Sequence, residues 1–181
     1  MKRIAYPILF VFFLSGCSYI DVYEFRVDQE ASLQRQGPFK VISVVDGDTI
    51  KVDVDGTKES IRMIGIDTPE IVDPRKPVQC YGPEASSYAH RKLENRTVYL
   101  VSDSTQGERD KYNRILVYVY IADEQTGLWS DCAGCSYSYD AVRSGYAKEY
   151  TYNSPYAYQL EFKQAQALAQ SEGSGLWGKC I

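Results

Sequence analysis

The stretch Val45-Asp46-Gly47-Asp48-Thr49-Ile50-Lys51-Val52-Asp53-Val54-Asp55-Gly56 decides how this chain folds. Ile50, Val52 and Val54 alternate with polar neighbours, the period of a strand with one buried face. Asp55 and Gly56 follow at once and both tolerate positive φ, so a tight hairpin turn is predicted there. The return strand is predicted over residues 58–66. Upstream, residues 39–45 are apolar and β-branched; downstream, 97–101 and 115–122 supply two more strands. Five strands in this order suit a small Greek-key barrel. Three helices are predicted beside it. The first opens at Gly82-Pro83-Glu84 and carries Ala85, Ala89 and Leu93. The second covers about residues 139–144 and stops at Gly145. The third is predicted to start at Ser154-Pro155 and places Tyr158, Phe162, Ala165 and Ala169 on one face before Gly173. The fold class is therefore mainly β with added helices (α+β).

The chain has 181 residues, 44% of them hydrophobic and 24% charged, which suits one folded domain with a short appendage. Only one apolar run approaches membrane length, so a polytopic membrane protein is excluded. The formal net charge of −4 argues against a protein that coats nucleic acid by bulk electrostatics. Two oddities need explaining: 5 cysteines and 16 tyrosines. For most of the tyrosines a core or surface packing role is the expectation.

The N-terminus reads as an address. Lys2 and Arg3 precede an apolar run over residues 4–14, too short to span a bilayer as a mature helix. The run closes on Leu14-Ser15-Gly16-Cys17, which resembles the lipobox of bacterial lipoproteins. That resemblance implies removal of residues 1–16 and lipidation of Cys17, the alternative being a plain signal peptide with an incidental cysteine. The polar, mixed-charge stretch that follows reads as a tether over 17–37 leading to a domain over 38–181. Multiple acyl chains on one cysteine give a stable membrane anchor. Ser18 favours the outer membrane, if the cell has one. Loss of Lys2 and Arg3 with the leader takes the formal charge from −4 to −6. Cys80, Cys132, Cys135 and Cys180 remain, an even number in an exported chain, which reads as two disulfides with three possible pairings. Zinc at Cys132-Ala-Gly-Cys135 is the rival, but there is no second such pair, and His90 is the only histidine.

The polar residues that interrupt the apolar hairpin point to chemistry. Asp46-Gly47-Asp48-Thr49 lies at one end and Asp67-Thr68-Pro69-Glu70 closes the return strand. If the strands pair through Asp55-Gly56, Asp48 and Asp67 converge. Two carboxylates with a backbone carbonyl form the oxygen-only set that calcium takes up, although aspartates beside glycine and proline also simply make turns. An EF-hand is excluded by the misplaced glycine in Asp53-Val54-Asp55-Gly56. Arg62 sits on the same hairpin and Arg114 heads the strand over 115–122. Two arginines near a cation site suit a bound phosphate, because each planar fork donates two hydrogen bonds to its oxygens.

Together, Val45 to Thr49, Ile61-Arg62-Met63-Ile64-Gly65-Ile66-Asp67-Thr68-Pro69-Glu70, Tyr81-Gly82-Pro83-Glu84-Ala85-Ser86 and Asp110-Lys111-Tyr112-Asn113-Arg114 resemble the staphylococcal nuclease (thermonuclease) family. Gly145-Tyr146-Ala147-Lys148 and Gly175-Leu176-Trp177 extend the likeness, which spans about residues 41–177. The resemblance implies a five-stranded OB-fold Greek-key barrel with three helices. It also implies a calcium-dependent endonuclease that hydrolyses DNA and RNA, breaks the bond to the 5′ oxygen and leaves 3′-phosphate ends. On the matching positions, Asp48, Asp67 and the Thr68 carbonyl would bind calcium. Glu70 would activate or position the attacking water, and Arg62 and Arg114 would grip the phosphate. Lys111 and Tyr112 would touch a terminal phosphate, with Tyr150 and Tyr152 near base-stacking positions. The family fold brings the regions of Cys80 and Cys180 close, which implies the pairs Cys80–Cys180 and Cys132–Cys135.

Asn113 replaces a glycine, and asparagine also visits left-handed geometry. Residues 123–137 form a longer loop than in the founding members and bear on substrate access. A monomeric protein is expected. The alternative is a non-catalytic OB-fold nucleic-acid-binding envelope lipoprotein, which would not require Asp48, Arg62, Asp67, Glu70 and Arg114 together. A purely structural envelope lipoprotein accounts for Cys17 and none of these five.

Overall fold

The computed structural model describes residues 33–71, 77–123, 125–127, 130 and 132–180. The signal segment, Cys17 and the tether as far as residue 32 lie outside the described residues.

Six strands precede the second helix: β1 (Leu33–Val44), β2 (Thr49–Val54), β3 (Thr57–Met63), the short β4 (Ile66–Asp67), β5 (Thr97–Asp103) and β6 (Ile115–Ile121). Five of them close a barrel in the order β1-β2-β3-β6-β5. All pairings are antiparallel except that of β3 with β6. Asp55 and Gly56 both take positive φ at the β2–β3 turn, 50° and 84°, as their residue types predict. The Gly56 amide donates to Asp53 Oδ1 at 2.8 Å. Val41, Ile50, Val52, Ile61, Val98 and Val119 fill the barrel, none more than 1% exposed. Each contributes about 1.5–3 kcal/mol by leaving water.

β1 begins at Leu33, inside the segment read as tether. Leu33 to Gln36 pair with Asp103 to Leu100 on β5. The strand reaches both neighbours by bending: its register shifts between Gln36 and Phe39 against β5, and between Val41 and Ser43 against β2. An extra residue at such a point kinks a strand and raises its twist, which helps a sheet close on itself. Residues 34–36 are polar and exposed, so no apolar alternation marked them as strand.

Helix α1 (Gly82–Leu93) starts where the proline predicted and buries Ala85, Ala89 and Leu93. Helix α2 (Tyr137–Arg143) begins two residues before the expected start, because the Ser136 side chain caps the Tyr139 amide. β7 (Lys148–Glu149) pairs with β4. Helix α3 (Gln159–Ser171) buries Phe162, Ala165 and Ala169 but starts four residues later than predicted, with Tyr158 rather than Ser154 before its first turn. Ser154 is not its cap: the Ser154 hydroxyl donates to the Thr105 carbonyl at 3.0 Å and accepts from Gln106 at 3.3 Å. A single-turn helix, α4 (Leu176–Lys179), follows. Tyr88, Tyr118, Tyr120, Tyr137, Tyr156 and Tyr158 are buried, so much of the tyrosine excess is core.

Cys80 and Cys180 form a disulfide that ties the start of α1 to the residue after α4, with Cα atoms 5.8 Å apart. A second disulfide joins Cys132 and Cys135 across the short 3-10 turn Ala133–Cys135.

Gly145 ends α2 with φ 73°, and its backbone lies against the residues before α4. A Cβ at Gly145 would stand 2.2 Å from the Ser174 carbonyl oxygen, a contact with rigid backbone on both sides. The Gly145 carbonyl also accepts from the Leu176 amide at 2.9 Å. Gly145→Ala is therefore expected to destabilise the protein by more than about 2 kcal/mol, through positive φ and forced separation of the two segments. Urea unfolding reads this directly, and a midpoint equal to wild type would contradict it.

Candidate active site

The turn between β1 and β2 sets the first half of the site. The Val45 and Asp46 amides both donate to the Thr49 carbonyl, at 2.9 and 3.3 Å. Asp46 Oδ1 accepts from the Asp48 amide at 3.1 Å. Glycine is required at position 47, since a Cβ there would meet the Thr68 side chain at 2.6 Å. The Gly47 carbonyl accepts from the Tyr137 hydroxyl at 2.8 Å, which ties the turn to α2.

Asp48 is only 5% exposed and is held on every side. Its Oδ2 accepts from the Thr68 amide at 3.0 Å and the Thr68 hydroxyl at 3.1 Å. Its Oδ1 accepts from the Thr49 hydroxyl at 2.9 Å. These bonds join the β1–β2 turn to the segment after β4, so the two ends of the hairpin meet. Arg62 on β3 completes the junction. One guanidinium nitrogen contacts Asp48, and the other lies 3.0 Å from Asp67 Oδ1. Asp67 projects outward at the end of β4, while Asp48 is buried beneath it.

The electrostatics are those of crowded negative charge. Burial, and then the Asp48 charge, push the Asp46 carboxyl up to about 7. Burial and Asp48 likewise raise Asp67. Burial opposes the charge on Arg62, but Asp48 and Asp67 outweigh it and raise its pKa. This is a place where positive charge is favoured. The donor set is oxygen only, as a hard cation requires. Among the described residues no group of three or more His, Cys, Asp or Glu side chains is gathered as a metal cage. Two carboxylates and a carbonyl fit calcium only if water completes the shell, which calcium readily accepts.

Asp110 builds the second half. It folds the loop before β6 by accepting from the Tyr112 and Arg114 amides, each at 2.9 Å. It also fixes the Arg114 fork, at 2.7 Å from Nε and 2.6 Å from Nη2. Arg114 Nη1 donates to the Thr49 hydroxyl at 3.3 Å, beside Asp48. Asn113 carries the loop through φ 65°, the left-handed geometry expected of it. Burial would raise the Asp110 carboxyl, but the hydrogen bonds from Arg114 prevail and hold it below the usual range.

A cleft of about 390 Å³ brings Arg62, Asp67 and Arg114 together with Lys111 and Tyr112. Tyr150 and Tyr152 line the same cleft. Tyr112 is 68% exposed, with Lys111 and Arg114 stacked 5.1 and 5.4 Å from its ring centre. Tyr150 and Tyr152 are exposed with ring centres 6.3 Å apart. Asp48 and Thr68 are buried and do not line the cleft. Glu70 follows Thr68 by two residues and does not line the cleft. None of the described residues of the 123–137 loop lines it either; the Tyr99 hydroxyl donates to the Gly127 carbonyl at 3.1 Å on another part of the barrel.

Sequence reading gave no role to Asp46, Asp110 or Gln79. Asp110 stands four residues before Arg114, an ion-pair spacing that was visible. The partner of Gln79 is set only in three dimensions: its Oε1 accepts from the Glu70 amide at 3.0 Å.

The closed five-stranded barrel thus carries an arginine-lined cleft beside the buried Asp48 carboxylate. Comparison with known proteins identifies the family. Residues 60–179 match the family model described as staphylococcal nuclease homologue. The chain is 41% identical to a thermonuclease of Staphylococcus hyicus over 139 residues, 77% of this chain and 75% of that one. It is 36% identical to a thermonuclease of Staphylococcus intermedius over 153 residues, 78% and 83% of the two chains. A prophage-derived endonuclease of Bacillus subtilis is 35% identical over 136 residues, 75% of this chain and 42% of that one. The chain belongs to the staphylococcal nuclease family, and it is a phosphodiester hydrolase of the nuclease type.

Proposed function

We propose that this protein is a calcium-dependent endonuclease that cuts DNA and RNA to 3′-phosphate ends at the cell envelope. The observation that carries the reading is the sharing of Arg62 between Asp48 and Asp67 on the cleft that also holds Arg114. Asp48 and Asp67, with the Thr68 carbonyl, are the residues to hold calcium. Bound there, calcium would supply Lewis-acid stabilisation of the phosphate charge.

The protein's own groups do the rest. Arg114, pinned by Asp110 and Thr49, presents a guanidinium that needs little reorganisation to meet a phosphate oxygen. Arg62 supplies a second fork on the same cleft. Glu70 activates or positions the attacking water. Lys111 and Tyr112 bind a terminal phosphate, and Tyr150 and Tyr152 stack bases without sequence preference. The protein acts as a monomer, held to a membrane by lipid on Cys17, and to the outer membrane where the cell has one.

The test is digestion of single-stranded DNA by the purified protein in calcium or in EGTA. Cutting in calcium, protection by EGTA and products bearing 5′-hydroxyl and 3′-phosphate ends are expected. Intact DNA in calcium overturns the reading, and cutting unaffected by EGTA removes calcium from it. Cys17→Ser is expected to abolish lipid labelling and release the protein from membranes; retention would refute the anchor.

A further inference from the structure

Glu70 leaves β4 through Pro69 and has no strand to hold it, yet its backbone is fixed from outside. The Gln79 side-chain oxygen accepts from the Glu70 amide at 3.0 Å. The Gln79 amide returns a bond to the Glu70 carbonyl, also at 3.0 Å. A single residue nine positions on thus engages both polar groups of the Glu70 main chain. Behind it, the Gln79 carbonyl accepts from the Gly82 amide at 3.0 Å, which joins this clamp to the first turn of α1. Helix α1 itself presses on the segment: a Cβ at Gly82 would lie 2.4 Å from Ile71 Cγ2 and 3.4 Å from the Glu70 carbonyl oxygen. Cys80, next to Gln79, is tied to Cys180 at the other end of the domain.

We infer that Gln79 is a positioning residue for Glu70, aiming its carboxylate through a two-bond clamp on the main chain anchored to α1 and the Cys80–Cys180 disulfide. The inference rests on the reading of Glu70 as the residue that orients the attacking water. Gln79 is exposed, and water replaces a lost exposed hydrogen bond at small cost to stability. Direction is a different matter, because displacement by about 1 Å of a group serving the reaction lowers the rate by up to about a hundredfold. A positioning role therefore separates from a structural one: the rate falls while stability and substrate affinity stay.

Five proteins decide it: wild type, Gln79→Met, Gln79→Glu, Glu70→Gln and the Glu70→Gln, Gln79→Met double variant as the cycle partner. Gln79→Met removes the strong acceptor at similar length, whereas Gln79→Glu keeps an oxygen there. Gln79→Met is expected to lower kcat about tenfold or more with KM and the unfolding midpoint unchanged, and Gln79→Glu to restore most of the rate. In the Glu70→Gln background Gln79→Met should cost nothing further, since the two act through one group. Amide hydrogen exchange in calcium-free protein gives a readout independent of activity: the Glu70 amide should lose protection about tenfold in Gln79→Met and keep it in Gln79→Glu. Wild-type kcat in Gln79→Met, or a loss that Gln79→Glu shares, overturns the positioning role while an inactive Glu70→Gln leaves the reading of Glu70 intact. A fully active Glu70→Gln removes both.

Discussion

Arg114→Ala lowers kcat on single-stranded DNA by about 10²–10³, with the fold retained and some stability lost because Asp110 is left without its partner. Phosphodiester hydrolysis builds negative charge on the phosphate oxygens as the water attacks. A donor fixed in advance stabilises that charge without being reoriented, and removal of one such donor costs about 3–4 kcal/mol of barrier. Arg114 is fixed in this way. Asp110 holds its Nε and Nη2, Thr49 receives its Nη1, and Tyr112 stacks on its plane. Arg114→Lys should rescue little, because one ammonium cannot keep the Asp110 and Thr49 contacts and still present two parallel donors. The measurement is steady-state cleavage of a defined oligonucleotide, with circular dichroism to show that the variants fold. A loss below about tenfold would place the phosphate elsewhere on the cleft.

Removing the Cys80–Cys180 bond as a paired serine variant lowers stability by about 4–5 kcal/mol in the chain-entropy account, because the closed loop is long. The two cysteines are 100 positions apart. The Cys132–Cys135 pair is separated by 3 and restrains a far smaller part of the unfolded chain. In the same account its removal costs only about 2 kcal/mol. For a domain of this size the first loss corresponds to a fall in melting temperature of roughly 10–20 °C. Urea unfolding of the two paired serine variants compares them directly. Equal losses would show that loop length does not govern the effect here.

Legibility in the sequence follows the range of each interaction. Asp55-Gly56 was legible because the turn demands positive φ at both residues, and few residue types accept that. The Asn113 geometry and the start of α1 at Gly82-Pro83 were legible for the same local reason. The beginning of β1 was not, since residues 34–36 are polar and their strand character comes only from pairing with β5. Ser154-Pro155 carried a valid helix-start signal, but Thr105 and Gln106 claimed the serine hydroxyl and α3 began later. The motif residues themselves were identifiable by type and order. Their partners were not, because a carboxylate does not encode which arginine it will meet.

By itself, the sequence determined the barrel strands apart from the start of β1, the β2–β3 turn and the three longer helices apart from where α3 begins. Those depend on backbone conformation and on the periodic burial of side chains, both written within a few neighbouring residues. Only the tertiary structure decided that Arg62 spans Asp48 and Asp67, that Asp110 and Thr49 hold Arg114, and that Gln79 grips the main chain at Glu70. These choices are electrostatic and non-local. Removing charges and polar groups from water is costly unless each finds a partner, and which partner is within reach is settled only when the barrel closes.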